Sequence, residues 1–463
     1  MVPVTIASGA KPPSHRERIA VDAARVSAPL RGNPRYVRYF FANQISSAGT
    51  AMATGAVAYA VLTTGGGAAG IAMVFMGQMV ATIVMSPIGG TLADRLPRVR
   101  VIVIVQIIVG ALVAFQAGLI AVRQAGVANL ALIAAAVNVA AAFSSPARVG
   151  LVSALVPKQQ LPEANALAEL GHYAIIMTGP AVGGFVVGVA GPAWGVGCNA
   201  VSFWLSAALM HGIKAPPLER KPQRFLADVA EGWGVVSRTP WIVTNVLGSA
   251  GMVSCWHVAY GIVGLTYVQT HLGGPASWGL VASSLGTGMV AGSLIALAWT
   301  PRRAGYVNCI ATTPMALPGL CMAAGMPLPV IMGAVVLAAM GLSIAAVTWR
   351  SLIQQTIPDA QQGRVAAWFN FGEIGFTPIA YLLVGPSVAV LGLRGTLLAC
   401  AIGIVAATLA PLAHPDVRQL TLLQTPEPPL SAATSTAAVS SPDRRAKNAR
   451  PHPSSPLRSG DHA

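Results

Sequence analysis

The chain has 463 residues, of which 54% are hydrophobic and 9% charged, with a formal net charge of +15, and its mean hydropathy is positive. An ordinary soluble domain carries about a quarter of its residues as charges, so this composition excludes that class and points to a helical membrane protein. The basic excess by itself would also suit a nucleic-acid binder, and the placement of the basic residues decides between the two.

Intervals nearly free of Asp, Glu, Lys and Arg set the elements. A helix rising ~1.5 Å per residue needs about 20 apolar residues to cross a hydrocarbon core ~30 Å thick. In chain order the intervals give two spans in 39–93, one in 101–122, one in 124–147 and two in 170–213. A charged interval follows, then two spans in 239–301, two in 304–349, one around 365–393 and one in 395–415. Lipid cannot hydrogen-bond an open backbone, and no period-two alternation marks barrel strands. The expected fold is an all-α membrane protein of twelve transmembrane helices in two six-helix bundles. The expected parts are a disordered tail 1–34, a bundle 35–213, a linker 214–240, a bundle 241–414 and a disordered tail 415–463.

Of the 29 basic residues, 27 fall on one side of such a threading, leaving Arg123 and Arg394 on the other. This positive-inside pattern puts both termini in the cytoplasm and makes a nucleic-acid partner unexpected, since the charge is spread over loops. Residues 1–34 lack the apolar core of a cleaved signal, and the tail after Pro415 is too rich in Pro, Ser, Thr and Ala to offset ordering entropy. In the linker, Phe225, Val229, Trp233 and Val236 recur at helical spacing, as in an interfacial helix. Trp194, Trp241, Trp278 and Trp299 fall at span ends, where interfacial anchoring is expected. The five cysteines lie in spans without paired spacing, so neither a disulfide nor a metal site is expected.

Shifting the chain by 201 positions superimposes Leu151 on Leu352, Pro157 on Pro358, Gly171 on Gly372 and Gly184 on Gly385. Parallel repeats of this kind are a transporter signature, with the substrate path between the halves. Two motifs carry a family resemblance. GGTLADRLPRVR, with Gly90, Asp94, Arg95, Arg98 and Arg100, resembles the first-loop signature of the major facilitator superfamily. GPAVGG in span 5, with Gly179, Pro180, Gly183 and Gly184, resembles the end of that superfamily's antiporter motif. With SSPARVGLVSALVP, ANALAE and IQQTIPDAQQGRV, residues 35–414 are similar to the branch containing the enterobactin exporter and macrolide efflux proteins. Pro97 stands where the loop motif usually has glycine, Val99 interrupts its basic run, and TPRRAG in the second half lacks the Asp. Span 4 also lacks the membrane-embedded arginine of many drug–proton antiporters, because Arg148 falls at its cytoplasmic end.

The resemblance implies that Asp94 meets the start of span 11 near Gly363, where a positive helix end stabilises a carboxylate by ~0.3–1 kcal/mol. Such a contact would latch the halves and break as they rock, with Arg95 and Arg98 pairing nearby; the competing reading is a solvated, topogenic loop. Pro180 removes a backbone hydrogen bond and its glycines permit close approach, so span 5 is expected to bend or to seal against a neighbour.

Glu373 lies inside span 11, where an ionised carboxylate costs ~2.5–3.5 kcal/mol and needs water, a partner or a proton. The 201 shift pairs it with His172 in span 5. Both are candidates for carrying a coupling proton; the alternative is a structural Glu hydrogen-bonded to neighbouring helices. Trp256, His257 and Tyr260 sit together on span 7, with Trp256 and Tyr260 one turn apart. In the resembled family spans 1, 4, 7 and 10 line the central cavity, which adds Tyr59 and Asn138 as substrate-cavity candidates. Core packing or anchoring would equally use such aromatics.

No Gly-Lys-Ser/Thr phosphate loop occurs, and the GxGxxG string at Gly65, Gly67 and Gly70 lies between two spans rather than between strand and helix. The expectation is a non-enzymatic, cofactor-free and metal-free exporter of small organic molecules in the cytoplasmic membrane. It would be driven by the proton gradient, alternating access by rocking of the halves, with a monomer expected. An uncoupled facilitator is the nearest alternative, and a receptor or enzyme on a transporter scaffold the more distant one.

Overall fold

The structure, a computed structural model, describes residues 28–93, 97–214, 233–299 and 301–422. Asp94 and Arg95 of the loop motif, Phe225 and Val229 of the linker, and the tails 1–27 and 423–463 lie outside the described residues, as do the side chains of 86–93 and of Gly363.

Among the described residues the chain crosses twelve times. Nine helical stretches are long and apolar enough to span a bilayer by length and composition. The longest, Trp368–Ala413, is two crossings, because Gly392 at φ 69° and ψ 177° breaks the helix in the left-handed region that a side chain resists. Two further crossings are interrupted helices. Span 4 is Val127–Ala142 continued, after a turn at Phe143, by Ser144–Leu155, and span 9 is Ala304–Thr312 and Leu317–Ala323 joined by a 3-10 turn at Thr313–Ala316.

In order, the remaining spans are 1 (Pro34–Thr63), 2 (Gly67–Ala93), 3 (Arg98–Ala121), 5 (Leu161–Ala190) and 6 (Pro192–Met210). Then come 7 (Pro240–Trp256, His257–Gly264 and Leu265–His271), 8 (Pro275–Ala298), 10 (Leu328–Thr356), 11 (Asp359–Gly375 and Thr377 to Gly392) and 12 (from Gly392 to Leu409). Span ends alternate between a terminal end, where span 1 begins and span 12 finishes, and a far end.

Local chemistry fixes many of these boundaries. Asn33 accepts a hydrogen bond from the Tyr36 amide at 3.1 Å, and Pro34 occupies the first turn, where its missing N–H is no loss. Between spans 1 and 2 the glycine string makes a tight turn, with Gly65 at φ 80°. Span 7 carries one wide π turn at His257–Gly264, a device that often re-aims side chains at functional positions.

Three helices outrun the charge-free intervals read from sequence. Span 4 continues through Arg148 to Leu155 and span 10 through Arg350 to Thr356, while span 5 begins at Leu161, ahead of Glu163 and Glu169. Charge marks where a helix leaves the hydrocarbon, not where its hydrogen-bond ladder stops. The Arg148 guanidinium folds back to donate to Asn43 Oδ1 on span 1, and Tyr39 Oη donates to the Arg148 carbonyl at 3.4 Å.

The packing repeats after six spans. Span 1 packs on spans 5 and 6, span 2 on span 4, and span 3 on span 6; span 7 packs on 11 and 12, span 8 on 10, and span 9 on 12. These are two six-helix bundles of the same plan. Small residues set the closest approaches: a Cβ at Gly183 would lie 2.5 Å from the Met52 carbonyl oxygen, and one at Gly292 would lie 2.3 Å from that of Met340. Outward faces carry Val189, Leu297 and Val390, all strongly exposed. In water such an apolar girdle would be a liability; in a bilayer it is the solvated surface. Trp194 and Trp299 are exposed at span ends as anchors should be, but Trp241 and Trp278 are buried against other aromatic rings and are packing residues instead.

Candidate functional site

The two bundles meet along spans 5 and 8 and along spans 2 and 11. Span 5 brings the GPAVGG motif to this joint. Pro180 sits inside the continuous helix, and its carbonyl lies 2.6 Å from where a Cβ at Gly279 of span 8 would sit. The next amide, Ala181 N–H, donates across the joint to Ser283 Oγ at 3.0 Å. Gly184 faces Pro275 and Gly279, with a Cβ there only 2.5 Å from the Pro275 carbonyl oxygen, and Gly286 approaches Met177 in the same way. Gly179 and Gly183 instead face Ala51 and Met52 of span 1. The motif therefore seals two different surfaces, one within its own bundle and one between bundles. All these contacts lie in the far-end and middle parts of the spans. Exposed side chains occur toward both ends of span 5, at Leu170 (59%) and at Val189 (74%).

A cavity of 250 Å³ sits in this joint, lined from both halves by Tyr59, Phe75, Pro180, Tyr260 and Trp278 among others. Two chains of ring contacts run into its lining. Trp256 stacks on Tyr260 with centroids 4.6 Å apart and planes 9° apart, and Tyr260 meets Trp278 at 5.0 Å. On the other side His257, Tyr381 and Phe75 follow one another at 6.3 Å each, which carries the contact from span 7 to span 2. Tyr260 Oη donates to the Val281 carbonyl at 3.4 Å, and His257 Nδ1 lies 3.0 Å from the Val253 carbonyl oxygen. The Tyr59 hydroxyl is 3% exposed at residue level and has no hydrogen-bond partner among the described residues. A buried hydroxyl without a partner costs about 1–3 kcal/mol, which makes it a conspicuous group on a cavity wall.

Of the expected cavity residues, Tyr59 and Tyr260 line the joint, Trp256 and His257 stand behind it, and Asn138 is elsewhere. Asn138 stays within the first bundle, accepting from Thr82 Oγ1 at 3.3 Å and donating to the Ala134 carbonyl at 2.9 Å. Trp278 and Phe75 complete the aromatic wall, and Tyr381 backs Phe75.

The two titratable candidates have different surroundings. Glu373 is half-buried, and its Oε1 accepts from Ser249 Oγ of span 7 at 2.6 Å; His172 is exposed beside Tyr173. Glu373 faces a second cavity, of 690 Å³, which lies within the second bundle. The backbone beside each group repeats: Gly171 approaches Gln44 of span 1 and Gly372 approaches Val246 of span 7.

From the loop motif, Gly90 lies in span 2, and Arg100 is exposed in the first turn of span 3. Arg98 donates from Nη1 to the Gly150 carbonyl of span 4, and any side chain at Gly150 would collide with its guanidinium. Gly150 falls within the SSPARVGLVSALVP stretch, but its role there is not legible from sequence, because it depends on a tertiary contact. Among the described residues no group of three or more His, Cys, Asp or Glu could hold a metal ion.

Comparison with known proteins agrees with this architecture. The family model described as Major Facilitator Superfamily matches residues 39–378. The chain is 27% identical over 403 residues to the multidrug efflux pump Tap of Mycobacterium bovis, covering 82% of this chain and 94% of that one. It is 24% identical over 400 residues to the Tap pump of Mycolicibacterium fortuitum, covering 83% and 97%. Among solved structures it resembles a bacterial homologue of the iron transporter ferroportin in an inward-facing state, at TM-score 0.65 and 15% identity over 82% of this chain and 98% of that one. The nucleoside transporter NupG is similar at TM-score 0.64 and 12% identity over 82% and 98%. At these identities the solved structures bear on the fold alone.

Proposed function

The chain belongs to the Major Facilitator Superfamily, and on that footing we propose that this membrane transporter exports small amphiphilic organic molecules from the cytoplasm by proton antiport with alternating access. The observation that carries the reading is the aromatic cavity at the joint, built from both bundles and holding the partnerless Tyr59 hydroxyl. An apolar site with a few polar tips suits an amphiphile, and a site made by both halves comes apart when they rock. The glycine-to-backbone contacts at the far end support a closed gate on that side. The basic residues favour the terminal end as cytoplasmic. The mycobacterial relatives named multidrug efflux pumps support export of varied cargo.

Glu373 is the coupling group in this reading. It is an acid at membrane depth with a neutral side-chain partner, Ser249. A proton is then the species that relieves the desolvation of its ionised form. His172, exposed and without a comparable partner, has the weaker claim. Arg98, hydrogen-bonded to the Gly150 carbonyl of span 4, anchors the basic arm of the loop motif within the first bundle.

Uptake into inverted vesicles under an imposed pH gradient, measured across dyes, antibiotics and siderophores, tests this. The expected result is accumulation that collapses with the gradient and is lost in Glu373→Gln. Uphill flux indifferent to the gradient would refute coupling, and full proton-driven flux in Glu373→Gln would remove Glu373 from it.

A further inference from the structure

Beside the 250 Å³ cavity at the joint, the second bundle holds a larger one of 690 Å³, within the range of ordinary ligand sites. Its lining runs from Asn245 to Pro411, so the first bundle contributes nothing to it. Exposed Arg350 and Gln354 mark its mouth at the terminal end. One wall is aromatic: Trp349 and Phe369 stack with centroids 4.6 Å apart, and Trp241 backs Trp349 edge-on at 5.7 Å. Elsewhere in the lining, the Asn308 amide donates to Asn245 Oδ1 at 2.9 Å, so these two polar side chains largely satisfy each other.

Glu373 is left with unused capacity. An ionised carboxylate can accept about four hydrogen bonds, and among the described residues Ser249 is its only side-chain partner. The charged and titratable groups that share the lining are Arg350 and Cys309. Arg350 is at the exposed mouth, where water and salt screen it; Cys309 is a buried thiol without charge of its own. A carboxylate at the end of an apolar cavity walled by stacked rings is the chemistry that recognises an organic cation. The carboxylate neutralises the charge, the ring faces attract it further, and the body of the ligand covers apolar wall.

We propose that the second bundle contains a binding site of its own for organic monocations with an aromatic or bulky apolar body, in which Glu373 is the counter-ion and Trp349 and Phe369 form the wall. In the transport cycle this is a reception site on the terminal-end side of the joint, a role that rests on the export reading; the binding itself does not. A proton and such a cation are then alternative occupants of Glu373.

Tetraphenylphosphonium tests the site, because its permanent charge involves no proton. Equilibrium dialysis with the purified full-length protein, in the absence of any gradient, is expected to show saturable binding that weakens at least tenfold in Glu373→Gln and less than threefold in Glu373→Asp. Uncharged triphenylphosphine oxide is expected not to compete, and Trp349→Phe to remove most of the tryptophan quenching on binding. Absence of saturable binding to the wild-type protein, equal affinity in a correctly folded Glu373→Gln, or effective competition by the oxide would each overturn the proposal. Should Glu373→Gln fail to fold, Glu373→Asp and the oxide competition still decide. Intact binding alongside absent proton-driven flux would sink the export reading and leave this site standing.

Discussion

Tyr59 carries a hydroxyl where nothing on the surrounding protein answers it, on the wall of a cavity made by both bundles. Removing that oxygen relieves a buried, unsatisfied group, so Tyr59→Phe is expected to raise the stability of the unliganded protein by about 1 kcal/mol. The same change is expected to weaken binding of any cargo that hydrogen-bonds there. Thermal unfolding with and without a transported compound measures both, and lower stability of the empty variant would mean that the hydroxyl has a partner. Tyr260 was legible with its neighbours on span 7, and Tyr59 through the resemblance that places span 1 at the central cavity; both line the joint. Trp278 was not legible as a cavity residue. It stands three residues after Pro275 at a span end, which reads as an anchor, and only the docking of span 8 on span 5 turns it inward. Asn138 failed for a related reason, since residue type says nothing of which helix its amide will meet, and it meets span 2.

At the level of helices, the close approaches are made by glycines whose neighbours are backbone and cannot step aside. Gly183 and Gly188 lie on the same helix, yet a Cβ at Gly183 would press on the Met52 backbone while one at Gly188 meets nothing within 4 Å. Gly183→Ala is expected to destabilise the protein by about 1–3 kcal/mol, as overpacking does, and to lower transport; Gly188→Ala is expected to leave both unaltered. Equal unfolding temperatures for the two variants would show that span 5 does not depend on that contact. The number and order of spans could be read from charge spacing because lipid penalises every buried charge. Helix ends could not, as span 4 shows: its ladder continues through Arg148 once the guanidinium finds Asn43. The split between spans 11 and 12 at Gly392 was visible only as the Arg394 that follows it. The π turn of span 7 left no sequence signal.

The whole molecule repeats one packing plan twice and joins the copies through spans 5 and 8 and spans 2 and 11. The 201-residue shift anticipated this because the glycines and prolines it aligned are those that shape equivalent helices. It also aligned His172 with Glu373, but their surroundings differ: one is exposed beside Tyr173, the other bound by Ser249 at a cavity. Duplicated helices need not keep duplicated chemistry, since polar partners come from single side chains that change freely. If the halves rock, the joint must open during each cycle, and a covalent tie across it must stop transport. The Ala181 amide to Ser283 contact locates such a tie. In a protein freed of its native cysteines, Ala181→Cys with Ser283→Cys should cross-link on oxidation. The decisive measurement is cargo flux through this pair in vesicles before oxidation, after it, and after reduction. Flux that falls to background when the pair is closed and returns when it is reduced is the expected result; undiminished flux through a fully cross-linked protein would contradict the rocking of two bundles about a shared cavity.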